Sequence, residues 1–132
     1  IVTELLSGSH SYKYFHILKG EILVQNELCY FVESIDPILK NAGMIITKRH
    51  IETPFDINDK EWQAIRNLLL QVKSILDKHN PDAYNIGWNV GAIGGQHIDH
   101  AHLHVIARFK DEPLAKKGIC YVFKQENNKR SK

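Results

Sequence analysis

"HAHLHVIARF", residues 100–109, sets three histidines at alternate positions, His100, His102 and His104, and fills the gaps with Ala101, Leu103 and Val105. Successive side chains of a β-strand point to opposite faces. The alternation therefore predicts a strand over these residues, with an apolar face turned to a core and an imidazole face turned away from it. Neighbouring imidazoles on that face stand about 7 Å apart along the strand. Charging all three would crowd like charges, and His102, flanked on both sides, is the hardest to protonate. A neutral His102 is a competent nucleophile or base once its tautomer is fixed.

The preceding stretch, "GAIGGQHID" at 91–99, carries Gly91, Gly94 and Gly95 and reads as a loop. Gly94 and Gly95 let backbone N–H groups approach a ligand closely, and Gln96 and Asn89 add neutral amide donors. That combination suits anionic oxygens such as those of phosphate. No Walker-type or Rossmann spacing is present. His97 lies in the loop, apart from the alternating three. Two other readings of the histidines stay open on pattern alone. Neutral imidazoles can bind zinc with an open position for water, although the outer pair is separated by about 13 Å of strand, which is awkward for one tetrahedral ion. They can also be polar side chains on an exposed strand face.

Further strands are expected at "ELCYFVES" (27–34), "GMIITK" (43–48) and "YNIGWNV" (84–90). Between the second and third lies a helical pattern, in which Trp62, Ile65, Leu68, Leu69, Val72, Ile75 and Leu76 share one stripe. Asn58 followed by Glu61 reads as a capping box at its start, and "HNP" at 79–81 supplies a stop. A helix of about five turns follows. One helix covering strands joined by short connections argues for an α+β domain with a mainly antiparallel sheet, one long helix and short flanking helices.

The chain's 132 residues, 43% hydrophobic and 24% charged, suit one soluble globular domain over 1–132. No apolar run approaches the length of a membrane helix, and the N-terminal "IVTELLSGSHSYKYF" lacks the layout of a secretory signal. A cytoplasmic location is the expectation. Cys29 and Cys120, each in an apolar setting, read as buried reduced thiols. The formal charge of +2 comes from the ending "KQENNKRSK", residues 124–132, with four basic residues and one acid. That ending reads as a flexible solvated tail, and nucleic acid is not the expected partner. Trp62 and the helix leucines read as packing residues. Trp88 reads as a core aromatic before it reads as the wall of a base pocket.

"HAHLHVI" fits the His-φ-His-φ-His-φ-φ pattern of the histidine-triad (HIT) family of nucleotide hydrolases and transferases. "NVGAIGGQHIDHAHLHVIAR" resembles that family's Asn-x-Gly, Gly-Gln and histidine run. "GMIITKRHI" resembles its strand ending in Pro-Lys-Lys/Arg-His, and "KGEILVQNELCYF" its N-terminal hairpin. The likeness covers about residues 19 to 109, and "DEPLAKKGICYVFK" is similar to the ends of bacterial members.

The resemblance implies a HIT-like α+β domain paired as a homodimer, acting on a nucleotide, a purine nucleoside phosphate for preference. The nucleotidyl group passes to His102, with His100 and His104 orienting it and contacting phosphate or leaving group. Asn89, Gln96 and Gly95 fall on the phosphate-binding run. No metal and no other cofactor is implied. Ser34 stands where the family has a ribose-binding carboxylate or Asn, and "KNAG" replaces its Pro-Gly-His. His97 replaces a Ser or Thr that touches phosphate, and Thr47 and Ala107 replace common residues. His50, in "KRHI", reads equally as a surface residue at a strand end.

Overall fold

A computed structural model describes residues 20–132. The N-terminal stretch tested for a secretory layout, and Lys19 at the head of the hairpin motif, lie outside the described residues. Five strands make one antiparallel sheet: β1 (Ile22–Gln25), β2 (Cys29–Glu33), β3 (Ala42–Thr47), β4 (Ala83–Trp88) and β5 (His102–Arg108). Their spatial order is β1-β2-β3-β5-β4, so the histidine strand is interior and β4 is an edge. One long helix, α1 (Asp59–Leu76), packs on β1, β2 and β3. The expected α+β class is the observed one.

Both ends of α1 follow from their residues. The Asn58 side chain accepts from the Glu61 N–H at 2.9 Å while the Glu61 carboxylate accepts from the Asn58 N–H at 3.0 Å. This reciprocal pair satisfies two donors that a helix start leaves free. At the other end a short 3-10 turn, Asp77–His79, leads to Asn80 in the left-handed conformation at φ 57°. Pro81 disfavours helix at the residue before it, and asparagine tolerates the left-handed region. The other short flanking helices are 3-10 turns at Pro54–Asp56, Val122–Lys124 and Glu126–Asn128.

The core lies between sheet and helix. Phe31, Ile45, Leu103 and Trp88 stand in register across β2, β3, β5 and β4. Ile65, Leu68, Val72 and Leu76 of α1 close over that side. Trp62, at the border of the helix stripe, is exposed on one side and meets Trp88 edge-on, with ring centroids 6.0 Å apart. Trp88 is thus a packing aromatic on the helix side of the sheet.

Four expectations need correction. β5 begins at His102, two residues late, because the Ala101 N–H donates to the Ile51 carbonyl at 2.8 Å and turns His100 out of the ladder. β4 ends at Trp88, which leaves Asn89 in the loop. β2 covers only Cys29–Glu33 of the expected 27–34, and its partner β1, four residues long, completes the hairpin that the resemblance implied. Cys29 is buried as expected, whereas Cys120 is exposed, its apolar neighbours Tyr121 and Val122 being exposed too. Among the described residues no helix is long and apolar enough to cross a membrane.

Candidate active site

β5 positions two of the three histidines by its pleat. Leu103, Val105 and Ala107 are buried in one direction, and His102, His104 and Ile106 face the other. On that face His102 pairs with Ile46 of β3, while His104 stands between Met44 of β3 and Gly87 of β4. Hydrogen bonding on both edges fixes the backbone of the strand.

His102 is only 6% exposed, and its Nδ1 lies 2.8 Å from the carbonyl oxygen of His100. A carbonyl only accepts, so Nδ1 carries the hydrogen and the neutral ring keeps its lone pair on Nε2. Burial lowers the pKa of His102 below the ordinary imidazole value, against the opposing pull of the His100 carbonyl, and the charge of His97 lowers it further. The direction is the expected one, but crowding by His100 and His104 is not its first cause. Desolvation dominates, and the like charge comes from the loop histidine. His104 is half-buried, its ring 4.9 Å from that of His102 at an interplanar angle of 76°. Its pKa is lowered by burial first and by His102 second.

His100 is buried but does not share the strand face. Its Nε2 donates to the Thr47 carbonyl at 2.8 Å, at the end of β3. Its Nδ1 lies 3.4 Å from Nδ1 of His50, and the two rings meet edge-on at 4.9 Å. His50 is therefore a half-buried neighbour of the motif, 50 positions away in sequence, and no local pattern could have revealed it. The Thr47 carbonyl makes the shorter contact, and the threonine's hydroxyl oxygen lies 3.4 Å from the same ring nitrogen. Its hydroxyl donates to the Arg49 carbonyl at 2.8 Å.

Arg49 fixes this end of β3 to the helix. Its Nε and one terminal nitrogen donate to the two Glu61 oxygens at 3.0 and 2.7 Å. The guanidinium holds the Glu61 carboxyl below the usual carboxylate range. One buried carboxylate thus caps α1 and anchors the strand end beside His50.

The glycine loop differs from the expected anion cradle. The N–H groups of Gly94, Gly95 and Gln96 all donate inside the loop, to the carbonyls of Gly91 and Ala92. The Gln96 carboxamide is buried and engaged: its nitrogen donates to the carbonyls of Glu52 at 2.6 Å and Ile98 at 2.9 Å, and its oxygen accepts from the Gly91 N–H at 2.9 Å. Gln96 is a loop anchor here. Gly95, at φ +95°, occupies the left-handed region with the Asn89 carboxamide alongside. Asn89 and His97 are exposed, and His97 is close enough to His102 for its charge to act on that ring.

Beside His104 the sheet carries a cleft of about 220 Å³, lined by Ser34, Met44, Ile98, His104 and Ile106 among others. Ser34 accepts the Asp36 N–H at 3.2 Å through its hydroxyl oxygen, which leaves its hydroxyl hydrogen available. The structure therefore brings Ser34 and His104 to one cleft and leaves Gln96 out of it. Met44, Ile98 and Ile106, the apolar walls, were missed because their pattern is that of ordinary strand and loop residues. Among the described residues no three His, Cys, Asp or Glu side chains are grouped to hold a metal ion.

Residues 18–111 match the family model described as the HIT domain. Adenosine 5'-monophosphoramidase of Schizosaccharomyces pombe is 29% identical over 100 residues, covering 73% of this chain and 73% of that protein. Bis(5'-adenosyl)-triphosphatase of Dictyostelium discoideum is 25% identical over 95 residues, covering 71% of this chain and 64% of the relative. A solved member of the HIT family from Bacillus subtilis superposes with a TM-score of 0.64 at 22% identity, over 70% of this chain and 66% of that one. This last likeness is one of fold.

Proposed function

This chain belongs to the HIT domain family, and from that footing we propose that it is a nucleotide hydrolase or nucleotidyl transferase working through a covalent intermediate on His102. The observation that carries the reading is the contact between His102 Nδ1 and the His100 carbonyl, which leaves an unprotonated Nε2 on a buried ring. Nε2 attacks the α-phosphorus, a nitrogen–phosphorus bond forms, and the bond to the leaving group breaks with its electron pair. The leaving group takes up a proton. Water then attacks the same phosphorus, gives up a proton, and returns the electron pair to Nε2. Two easier displacements replace one hard one.

The remaining roles belong to the same proposal. His104 and the exposed Asn89 and His97 contact the phosphate, and Ser34 donates to the ribose in place of the missing acidic residue. His100 acts through its carbonyl, as the group that sets the His102 tautomer. Gln96 and Gly95 shape the loop that presents Asn89 and His97. Relatives named as a phosphoramidase and a triphosphatase support an adenine nucleotide bearing an amine or phosphate leaving group. A homodimer and a cytoplasmic location belong to the same reading, and the free thiols of Cys29 and Cys120 suit a reducing compartment.

The test is His102→Ala assayed on adenosine 5'-phosphoramidate and on diadenosine triphosphate. Turnover is expected to vanish while AMP still binds and the circular dichroism is unchanged. Wild-type rates in the variant would remove the covalent role.

A further inference from the structure

The histidine face of β5 does not stop at the cleft. Ile106 and Leu39 line both the cleft beside His104 and a larger groove of about 760 Å³, so the two adjoin across these side chains. Ile38 and Leu39, from the connection between β2 and β3, form one wall. Leu114, Tyr121 and Val122, from the stretch after β5, form the other, and all five side chains are exposed.

That second wall is built into the fold. Arg108, next on the face after Ile106, donates to the carbonyls of Leu114 at 2.8 Å and Lys117 at 2.9 Å and is held by the Glu112 carboxylate at 3.0 Å. Gly87, the cross-strand neighbour of His104, has no side chain to keep the segment off: a Cβ there would stand 3.3 Å from Ile119 Cδ1.

From His102 to Ile106 the strand rises four residues, about 13 Å, comparable with the reach of phosphate, sugar and base laid end to end. The groove therefore opens where the base of a mononucleotide ends. An unsubstituted base would leave its apolar walls against water, and sites of this size and lining take apolar groups. We propose that the groove is a subsite for an apolar substituent on the base, so that the substrate is a nucleotide whose base carries an aryl or alkyl group remote from the reactive phosphate. This inference rests on the nucleotide reading given above. The shared border at Leu39 and Ile106 selects a ligand already anchored at its phosphate over a separate partner.

Titration calorimetry with AMP and N6-benzyl-AMP, on the full chain and on Val122→Trp, tests it. The benzyl compound is expected to bind the unaltered protein about tenfold more tightly than AMP. Val122→Trp, which fills the groove, is expected to bring that ratio close to one. AMP binding with equal or weaker benzyl binding overturns the subsite alone, as does a ratio that Val122→Trp leaves intact. Binding of neither nucleotide overturns the nucleotide reading and the subsite with it.

Discussion

The Nδ1–H of His102 donates to the main-chain carbonyl of His100 at 2.8 Å, so these two members of the motif are joined through a backbone atom and not ring to ring. The His100 ring points the other way, to Thr47 and His50. The three imidazoles therefore have separate partners despite their even spacing, and substitutions at each should fail differently.

Acid should cost the protein both rate and stability. His102 and His104 have pKa values below the ordinary imidazole value, burial being the first cause. In the unfolded chain they titrate near about 6.5. Between the folded and unfolded values the unfolded state holds more protons, so stability present above the unfolded value is lost as pH falls through the folded ones. The urea midpoint is expected to drop as pH falls below about 6.5, less steeply in His104→Asn. kcat/KM should hold at the ordinary imidazole pKa and decline only on its acid side. An unchanged slope in His104→Asn would assign the loss to other groups.

Glu61 should be among the most sensitive charged positions. Its carboxylate is buried, closes the capping box and takes both arms of the Arg49 fork. Glu61→Ala is expected to cost about 2 to 3 kcal/mol, from the lost cap and the lost pair together. Arg49→Ala should cost less in urea denaturation unless Glu61 stays ionised without its partner. Equal, negligible effects would show that strand end and helix are held by packing alone.

Gln96 distinguishes a loop anchor from a phosphate ligand. Gln96→Glu replaces a nitrogen that donates to two carbonyls with an oxygen that cannot. A lower melting temperature in the absence of nucleotide, by about 2 kcal/mol of stability, is expected alongside any fall in kcat/KM. A variant as stable as the original but weak in AMP binding would put Gln96 back among the direct ligands.

How much of this was legible in the sequence depends on the range of each interaction. The face of His102 and His104 followed from period-two alternation, and the capping box from a spacing of three, because both are local. His100 was misplaced because the hydrogen bond that turns it out of the ladder is made to Ile51. His50 and the Gln96 contact with Glu52 join segments about 50 and 44 positions apart. Glycine spacing suggested an anion loop, but the direction of an N–H depends on dihedral angles that composition does not encode. Ser34 was placed by resemblance, and the cleft gave it His104 as a neighbour.

The two thiols should separate cleanly under a disulfide reagent. Burial pushes the Cys29 thiol up to about 11, while Cys120 is exposed. Native protein is expected to react at one thiol promptly and at the second only on unfolding. Fast reaction of both would place Cys29 in a region that opens readily.

The interior position of β5 bears on the handedness of the reaction. β5 lies inside the sheet and His102 is laddered to Ile46 of β3, so the backbone beneath the proposed nucleophile is held in place. In the proposed route, attack by Nε2 and then by water are two in-line displacements at phosphorus, each of which inverts it, and the second undoes the first. A chiral phosphate processed by this route leaves with the configuration it brought.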